Sequence, residues 1–218
     1  MSRLVLFDLD GTLLDTAKDF TQVLNQQLHQ HEMEAVSFQR VRETVSDGAR
    51  ALIKMGFGID DSHSNFDHYL QELLDLYAEK IVMTEAVLFK GITELLQNIE
   101  AEQLQWGIVT NKPSRFTLPL LEKFTAMSNS SVVLCADQVK NGKPDPEGLL
   151  MACQMLACKT EHCIYVGDHK RDIDAGKNAN IKTIAVSWGY YPEHTRLEDW
   201  QADLIVNSPQ EITNYLFG

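Results

Sequence analysis

The chain has 218 residues, of which 44% are hydrophobic and 23% charged, values that exclude a disordered polymer and suit a globular protein. Nineteen Lys and Arg against 31 Asp and Glu leave a formal net charge of −12, so the surface repels nucleic-acid phosphates and anionic lipid headgroups. Neither nucleic acid nor membrane is an expected partner, and any anionic small molecule must be captured by a local positive device such as a metal ion, a helix N-terminus or a few placed Lys and Arg.

The length exceeds the roughly 100–150 residues of a common single domain, which points to a core carrying an inserted module. No apolar stretch approaches the ~20 residues of a membrane span. After Met1-Ser2-Arg3 only Leu4-Val5-Leu6-Phe7 precede Asp8, shorter than the apolar region of about 7–15 residues in a signal peptide. Cys135, Cys153, Cys158 and Cys163 contain no C-x-x-C pair and read as buried free thiols rather than a zinc site. A reducing, cytoplasmic location is expected.

Arg3–Phe7 is a short apolar run ending in charge, the pattern of a strand buried on both faces. From about Thr16 to Thr84 no strand is legible. Helical stretches fill that segment, with Phe66, Tyr69, Leu70, Leu73 and Tyr77 as its clearest apolar stripe, and Asp47-Gly48 and Gly56–Gly58 as breaks. Gly56-Phe57-Gly58 lacks the third glycine and the preceding strand of a dinucleotide-binding turn. Ile92, Leu95, Leu96 and Ile99 fall on one helical face, and Leu149, Leu150, Cys153 and Leu156 do much the same. Strand-like runs recur at Trp106–Val109, Val132–Leu134, Cys163–Val166, Thr183–Val186 and Asp203–Val206. Strand and helix alternating in this way predict right-handed βαβ units. The expected fold class is α/β: a Rossmann-like doubly wound parallel sheet formed by residues 1–15 and 85–218, with an inserted α-helical module over 16–84.

Ligands of open parallel sheets bind beyond the carboxyl ends of the strands. The first strand ends in Asp8-Leu9-Asp10-Gly11-Thr12, the second in Thr110-Asn111-Lys112. A loop after the third carries Lys143-Pro144-Asp145-Pro146, and the next strand ends in Gly167-Asp168-His169-Lys170-Arg171-Asp172. Thr110 and Asp172 also suit helix caps, and His169-Lys170-Arg171 suits solvated charges at a helix start. Asp8 and Asp10 are harder to explain structurally. Acids at i and i+2 of a strand end share a direction, which costs stability unless a cation compensates. With Asp168 and Asp172 on the same edge, and no His or Cys among them, the oxygen donors suit Mg²⁺. One carboxylate can then attack phosphorus, its neighbour can act as general acid and base, and Lys143, the Thr110 hydroxyl and backbone N–H groups near Asn111 and Gly11 can hold the phosphoryl oxygens. The chemistry so specified is phosphomonoester hydrolysis on a small phosphorylated metabolite.

These segments, in this order, resemble the motifs of the haloacid dehalogenase-like phosphatase superfamily, and the insertion resembles its helical cap domain. The resemblance implies that Asp8 is the nucleophile and a Mg²⁺ ligand, and that Asp10 is the general acid/base, ligating through its main-chain carbonyl. It further implies that Thr110 and Lys143 bind phosphate, that Asp168 is a metal ligand, and that Asp172 is a ligand directly or through water. Trp106–Phe116 is similar to the branch containing phosphoglycolate phosphatases and N-acetylmuramic acid 6-phosphate phosphatases. Asp47–Ala51 and Val139–Glu147 resemble the latter more, which makes N-acetylmuramic acid 6-phosphate the expected substrate and 2-phosphoglycolate the alternative.

Arg50, after the Asp47-Gly48 break, is the candidate for a substrate carboxylate, since a guanidinium binds one bidentately. Lys112 and Arg115 are further candidates, whereas Phe57 and Phe66 read as core. A phosphomutase of the same superfamily differs in the fate of the intermediate and is separable by product analysis. A phospho-accepting receiver domain, the rival from outside enzymes, needs neither the helical insert nor Asp10.

Overall fold

The computed structural model describes residues 4–218. Arg3, assigned to the first strand from sequence, and the Met1-Ser2 start lie outside the described residues. The chain divides into two compact units.

The first unit runs to Leu14 and includes Leu88–Gly189 and Thr195–Gly218. Its strands are β1 (Leu4–Phe7), β4 (Gln105–Val109), β5 (Val132–Leu134), β6 (Cys163–Gly167), β7 (Lys182–Val186) and β8 (Leu204–Val206). They form a six-stranded sheet in the order β5-β4-β1-β6-β7-β8, parallel throughout. Val5 lies opposite Trp106 on one side and Ile164 on the other, and all four β1 residues are buried. A strand with no solvent face has no use for alternation, which is why β1 reads as an unbroken apolar run.

The connecting helices are α5 (Ile92–Ala101), α6 (Ser114–Leu121), α7 (Glu147–Met155), α8 (Lys170–Asn178) and α9 (Pro209–Phe217). The α5 stripe is buried as its spacing predicts. On α7, Leu149 and Cys153 are buried but Leu150 is 43% exposed, because the i, i+4 pair faces the sheet and the next residue is turned about 100° away. The sheet order reverses at β1, with β4 then β5 on one side and β6, β7 and β8 on the other. That reversal opens a crevice at the carboxyl ends of β1, β4 and β6.

The second unit comprises Asp15–Val87 and Tyr190–His194. It holds α1 (Ala17–Gln30), α2 (Phe38–Thr44), α3 (Ala49–Phe57) and α4 (Phe66–Val82). Leu24, Leu28, Leu52, Ile53, Phe66, Leu73 and Tyr77 form its core. Phe20 stacks on Tyr77 at 4.1 Å and Phe57 on Tyr69 at 4.2 Å. Gly58 ends α3 in the left-handed region at φ 66°, a stop that glycine makes without steric cost. The chain passes between the units through β2 (Leu14–Asp15) and β3 (Val87–Leu88), which pair as a separate two-stranded sheet. Tyr190–His194, although it lies between β7 and β8 in sequence, groups with the helices. The Tyr190 hydroxyl accepts from the N–H groups of Thr16 (2.6 Å) and Ala17 (3.1 Å) and donates to Asp15 (2.6 Å), so it serves the start of α1. Among the described residues no helix is long and apolar enough to cross a membrane.

Candidate active site

Asp8 leaves β1 with its N–H still in the sheet, donating to Val166 at 2.9 Å. The chain then turns through Leu9–Leu13, where the N–H groups of Leu13 and Leu14 both converge on the Leu9 carbonyl at 3.0 Å. Gly11, at φ 82°, permits this turn, and a Cβ there would sit 2.2 Å from Asp168 Oδ2. Gly189 is equally close on another side: its Cβ would meet Asp168 Cβ at 2.1 Å. Asp168 is fully buried between these two glycines and accepts a hydrogen bond from Thr12 Oγ1 at 3.0 Å. Trp188 Nε1 in turn donates to the Thr12 carbonyl at 3.1 Å.

Lys143 supplies the central positive charge. Its Nζ lies 2.8 Å from Asp8 Oδ1 and 2.7 Å from Asp172 Oδ1, with the side chain only 3% exposed. The Tyr165 hydroxyl, buried on β6, accepts from Lys143 Nζ at 2.8 Å and lies 2.9 Å from the Val109 carbonyl. Asn111 brackets Lys143: its Nδ2 donates to the Lys143 carbonyl (3.0 Å) and its Oδ1 accepts from the Lys143 N–H (2.8 Å). In the sequence analysis Asn111 is a phosphate candidate through the backbone N–H groups around it. Here its side-chain amide is spent on the Lys143 backbone, and it acts by aiming that lysine.

Lys112 Nζ lies 3.1 Å from both carboxylate oxygens of Asp10. Thr110 is buried, and its Oγ1 accepts from the Lys112 N–H at 3.2 Å, an arrangement that leaves the hydroxyl proton available to an incoming oxygen. Asp172 serves two masters. Its Oδ2 accepts the His169 N–H at 3.0 Å, as the helix-cap reading expected, while Oδ1 meets Lys143.

The site is electrostatically unbalanced in a way that suits a divalent cation. Asp8, Asp168 and Asp172 each offer an oxygen within 4.8 Å of the others. Counting Asp10, four carboxylates face the ammonium groups of Lys112 and Lys143, a formal surplus of two negative charges. Asp8 Oδ1 is buried without a hydrogen bond of good geometry, although the Lys143 ammonium stands beside it. Burial raises the Asp8 carboxyl above its ordinary pKa; Lys143 opposes the rise and the Asp172 charge adds to it. An all-oxygen set of this kind, with more negative charge than its lysines offset, fits Mg²⁺ better than a softer metal.

The other candidate side chains have partners of their own. Arg50 belongs to the helical unit, where it pairs with Asp61 at 2.6 Å and lies over the Phe66 ring at 4.6 Å. His169 Nδ1 accepts from the backbone and side chain of Arg171 (3.2 and 3.1 Å), and Lys170 pairs with Asp174 at 2.6 Å. Arg115 lies over Phe116 at 4.5 Å. Cys135, Cys153 and Cys163 are buried thiols. Sequence reasoning quoted Thr12 without a role and did not single out Tyr165, Trp188 or Gly189. Tyr165 lies in the middle of β6 and Trp188 and Gly189 just beyond β7, and their partners come from distant segments, which leaves no local sign of their roles.

A family model described as haloacid dehalogenase-like hydrolase matches residues 5–186. The chain is 41% identical over 214 residues to the N-acetylmuramic acid 6-phosphate phosphatase of Pseudomonas aeruginosa, covering 98% of this chain and 94% of that one. It is 35% identical over 210 residues to a phosphoglycolate phosphatase of Xanthomonas campestris, covering 96% and 94%. Among solved structures, a predicted phosphoglycolate phosphatase from Haemophilus somnus superposes with a TM-score of 0.88 at 22% identity, over 99% of this chain and 98% of that one. A haloacid dehalogenase-like hydrolase from Streptococcus pneumoniae superposes with a TM-score of 0.84 at 21% identity, over 99% and 98%. At such identities these structures speak for the fold.

Proposed function

The chain belongs to the haloacid dehalogenase-like hydrolase family, and we propose that it is a Mg²⁺-dependent phosphomonoesterase whose substrate is N-acetylmuramic acid 6-phosphate. The observation that carries the chemistry is the convergence of Asp8, Asp10, Asp168 and Asp172 on one sheet edge, with Lys143 bridging Asp8 and Asp172. The substrate rests on the relatives that bear that name at 41% and 40% identity.

Asp8, Asp168, Asp172 and the Asp10 carbonyl would hold the ion, Asp172 by way of water, since its two oxygens already serve Lys143 and His169. When bound, Mg²⁺ offsets the surplus negative charge and polarises the phosphoryl group. An Asp8 carboxylate oxygen attacks phosphorus in line with the ester bond. Asp10, entering protonated, gives its proton to the departing sugar oxygen as the P–O bond breaks, leaving a phosphoryl group on Asp8. Asp10, now a carboxylate, takes a proton from water as the water oxygen attacks phosphorus. The bond to Asp8 breaks, and inorganic phosphate and free enzyme result. The Thr110 hydroxyl and the Lys143 ammonium bind the equatorial oxygens, where charge is concentrated in transit. Residues 16–84 correspond to the family's helical cap segment.

The deciding experiment compares Mg²⁺-dependent phosphate release from N-acetylmuramic acid 6-phosphate and 2-phosphoglycolate. A kcat/KM ratio of ~100 or more in favour of the sugar phosphate is expected, equivalent to about 2.7 kcal/mol between the two transition states. The reverse ratio transfers the assignment to 2-phosphoglycolate, the substrate named for relatives at 35% identity. Isomerised product without net phosphate release identifies a mutase and overturns the hydrolase reading.

A further inference from the structure

Lys112 stands at the edge of the cluster, and its sequence position alone left it as a candidate ligand for a substrate carboxylate. The structure gives it a different partner. Its side chain is only 6% exposed, and Nζ contacts both oxygens of Asp10 at the same distance, 3.1 Å. The backbone from which it extends is held on two sides. Its N–H donates to Thr110 Oγ1 (3.2 Å), and its carbonyl accepts from the Ala136 N–H (3.3 Å) and from Thr117 Oγ1 (3.3 Å). A flexible four-carbon stem thus starts from an anchored point and ends on the acid of a different loop.

We infer that Lys112 is a positioning residue for Asp10, holding its carboxyl group by a two-point contact so that it stands within reach first of the leaving oxygen and then of the attacking water. This rests on the phosphatase reading above, in which Asp10 works in both half-reactions. Asp10 forms an isolated bridge with Leu14 where the chain enters the turn, and its side chain is 17% exposed. Lys143 is committed elsewhere, to Asp8 and Asp172. The two lysines therefore divide the cluster, one serving the attacking side and one serving the proton carrier. Proton transfer requires hydrogen-bond reach, and a misplacement of about 1 Å costs on the order of 10²-fold in rate.

The test uses full-length Lys112→Met, with Lys112→Gln as a second variant and Lys112→Arg as the conservative replacement. Three substrates are assayed at saturating Mg²⁺: N-acetylmuramic acid 6-phosphate, the carboxylate-free N-acetylglucosamine 6-phosphate, and p-nitrophenyl phosphate, whose leaving group needs little protonation. For the two sugar phosphates, kcat is expected to fall by ~30- to 100-fold with KM within about 3-fold of the parent, and Lys112→Arg to recover part of the loss. With p-nitrophenyl phosphate, the variant is expected to release nitrophenolate in a burst of one per active site before a slow steady state, because attack survives while water activation by Asp10 does not. A rise in KM confined to the carboxylate-bearing sugar would make Lys112 a substrate ligand and overturn the proposal. So would kinetics within ~2-fold of the parent on all three substrates. A crystal structure of Lys112→Met provides a readout independent of turnover: Asp10 is expected to change rotamer, and an unmoved Asp10 overturns the proposal. If the parent enzyme releases phosphate from none of the three, the phosphatase reading fails by itself, and the Asp10 rotamer alone decides the role of Lys112.

Discussion

Burial lifts the Asp8 carboxyl above its ordinary value of 3.8, against the pull of Lys143 and with the help of the Asp172 charge. A carboxyl whose folded-state pKa is raised favours the folded state at pH below its unfolded value, and that contribution is lost as pH rises through the folded value. In the absence of metal, ionising Asp8 is therefore a cost to the fold. Asp8→Asn should abolish turnover, by ~10³ or more, because the attacking oxygen is gone. The same variant should melt higher than the parent in EDTA, by about 2–4 °C if the relief is worth ~1 kcal/mol. A lower melting temperature would show that the Lys143 pairing outweighs the desolvation of Asp8.

Lys143 makes the complementary case. Burial pulls its ammonium down, but Asp172 and Asp8 together overcome this and hold it above the ordinary lysine range. Its stabilising contribution therefore persists through neutral pH and fades only as pH rises through that raised value. Lys143→Met strands two buried carboxylates, and urea unfolding should report a loss of about 3–5 kcal/mol. Retained stability would mean that water or a cation takes over the ammonium's place.

At the scale of elements, the segment following β7 carries the most consequence per residue. Trp188 braces the Thr12 carbonyl, Gly189 abuts Asp168, and the Tyr190 hydroxyl serves three partners at the start of α1. Gly189→Ala would drive a methyl group into Asp168, which the surrounding packing leaves no room to avoid. Apparent Mg²⁺ affinity, measured by metal titration of activity, should weaken by ~10-fold or more. An unchanged titration would remove Asp168 from the ligand set. Tyr190→Phe keeps the ring, over which Arg42 lies at 5.1 Å, but leaves the amides of Thr16 and Ala17 without that acceptor. A loss of ~1–3 kcal/mol in chemical denaturation is expected, and a neutral result would mean that water replaces the hydroxyl.

For the whole molecule, a net charge of −12 and a carboxylate cluster at the carboxyl edge of the sheet mean that a cation bound there would be coupled to folding. A ligand that binds only the folded state stabilises it by about 2.7 kcal/mol at 100 times its Kd. The melting temperature should therefore climb with the logarithm of MgCl2 concentration beyond Kd, and much less with NaCl at matched ionic strength. Equal effects of the two salts would reduce the gain to screening of the general negative charge. Asp168→Asn should flatten the MgCl2 response, since it removes a buried donor without emptying the space.

What the amino-acid order determined by itself is local in origin. Unbroken apolar runs marked the buried parallel strands, the spacing Ile92, Leu95, Leu96, Ile99 marked α5, and charged residues after each run marked the sheet edge where chemistry could occur. Two acids at i and i+2 called for a compensating positive charge, because nearby like charges are costly in any fold. Pairing across 102 or 156 residues, as between Asp10 and Lys112 or Thr12 and Asp168, has no such local sign. The tertiary structure alone decided that Asn111 aims Lys143, that Leu150 faces solvent, that glycines flank Asp168, and that Tyr190 groups with helices rather than with the strands around it. The physical reason is that periodicity records which face of an element is dry, whereas the partner of a polar side chain depends on which loops the sheet order brings to the same edge.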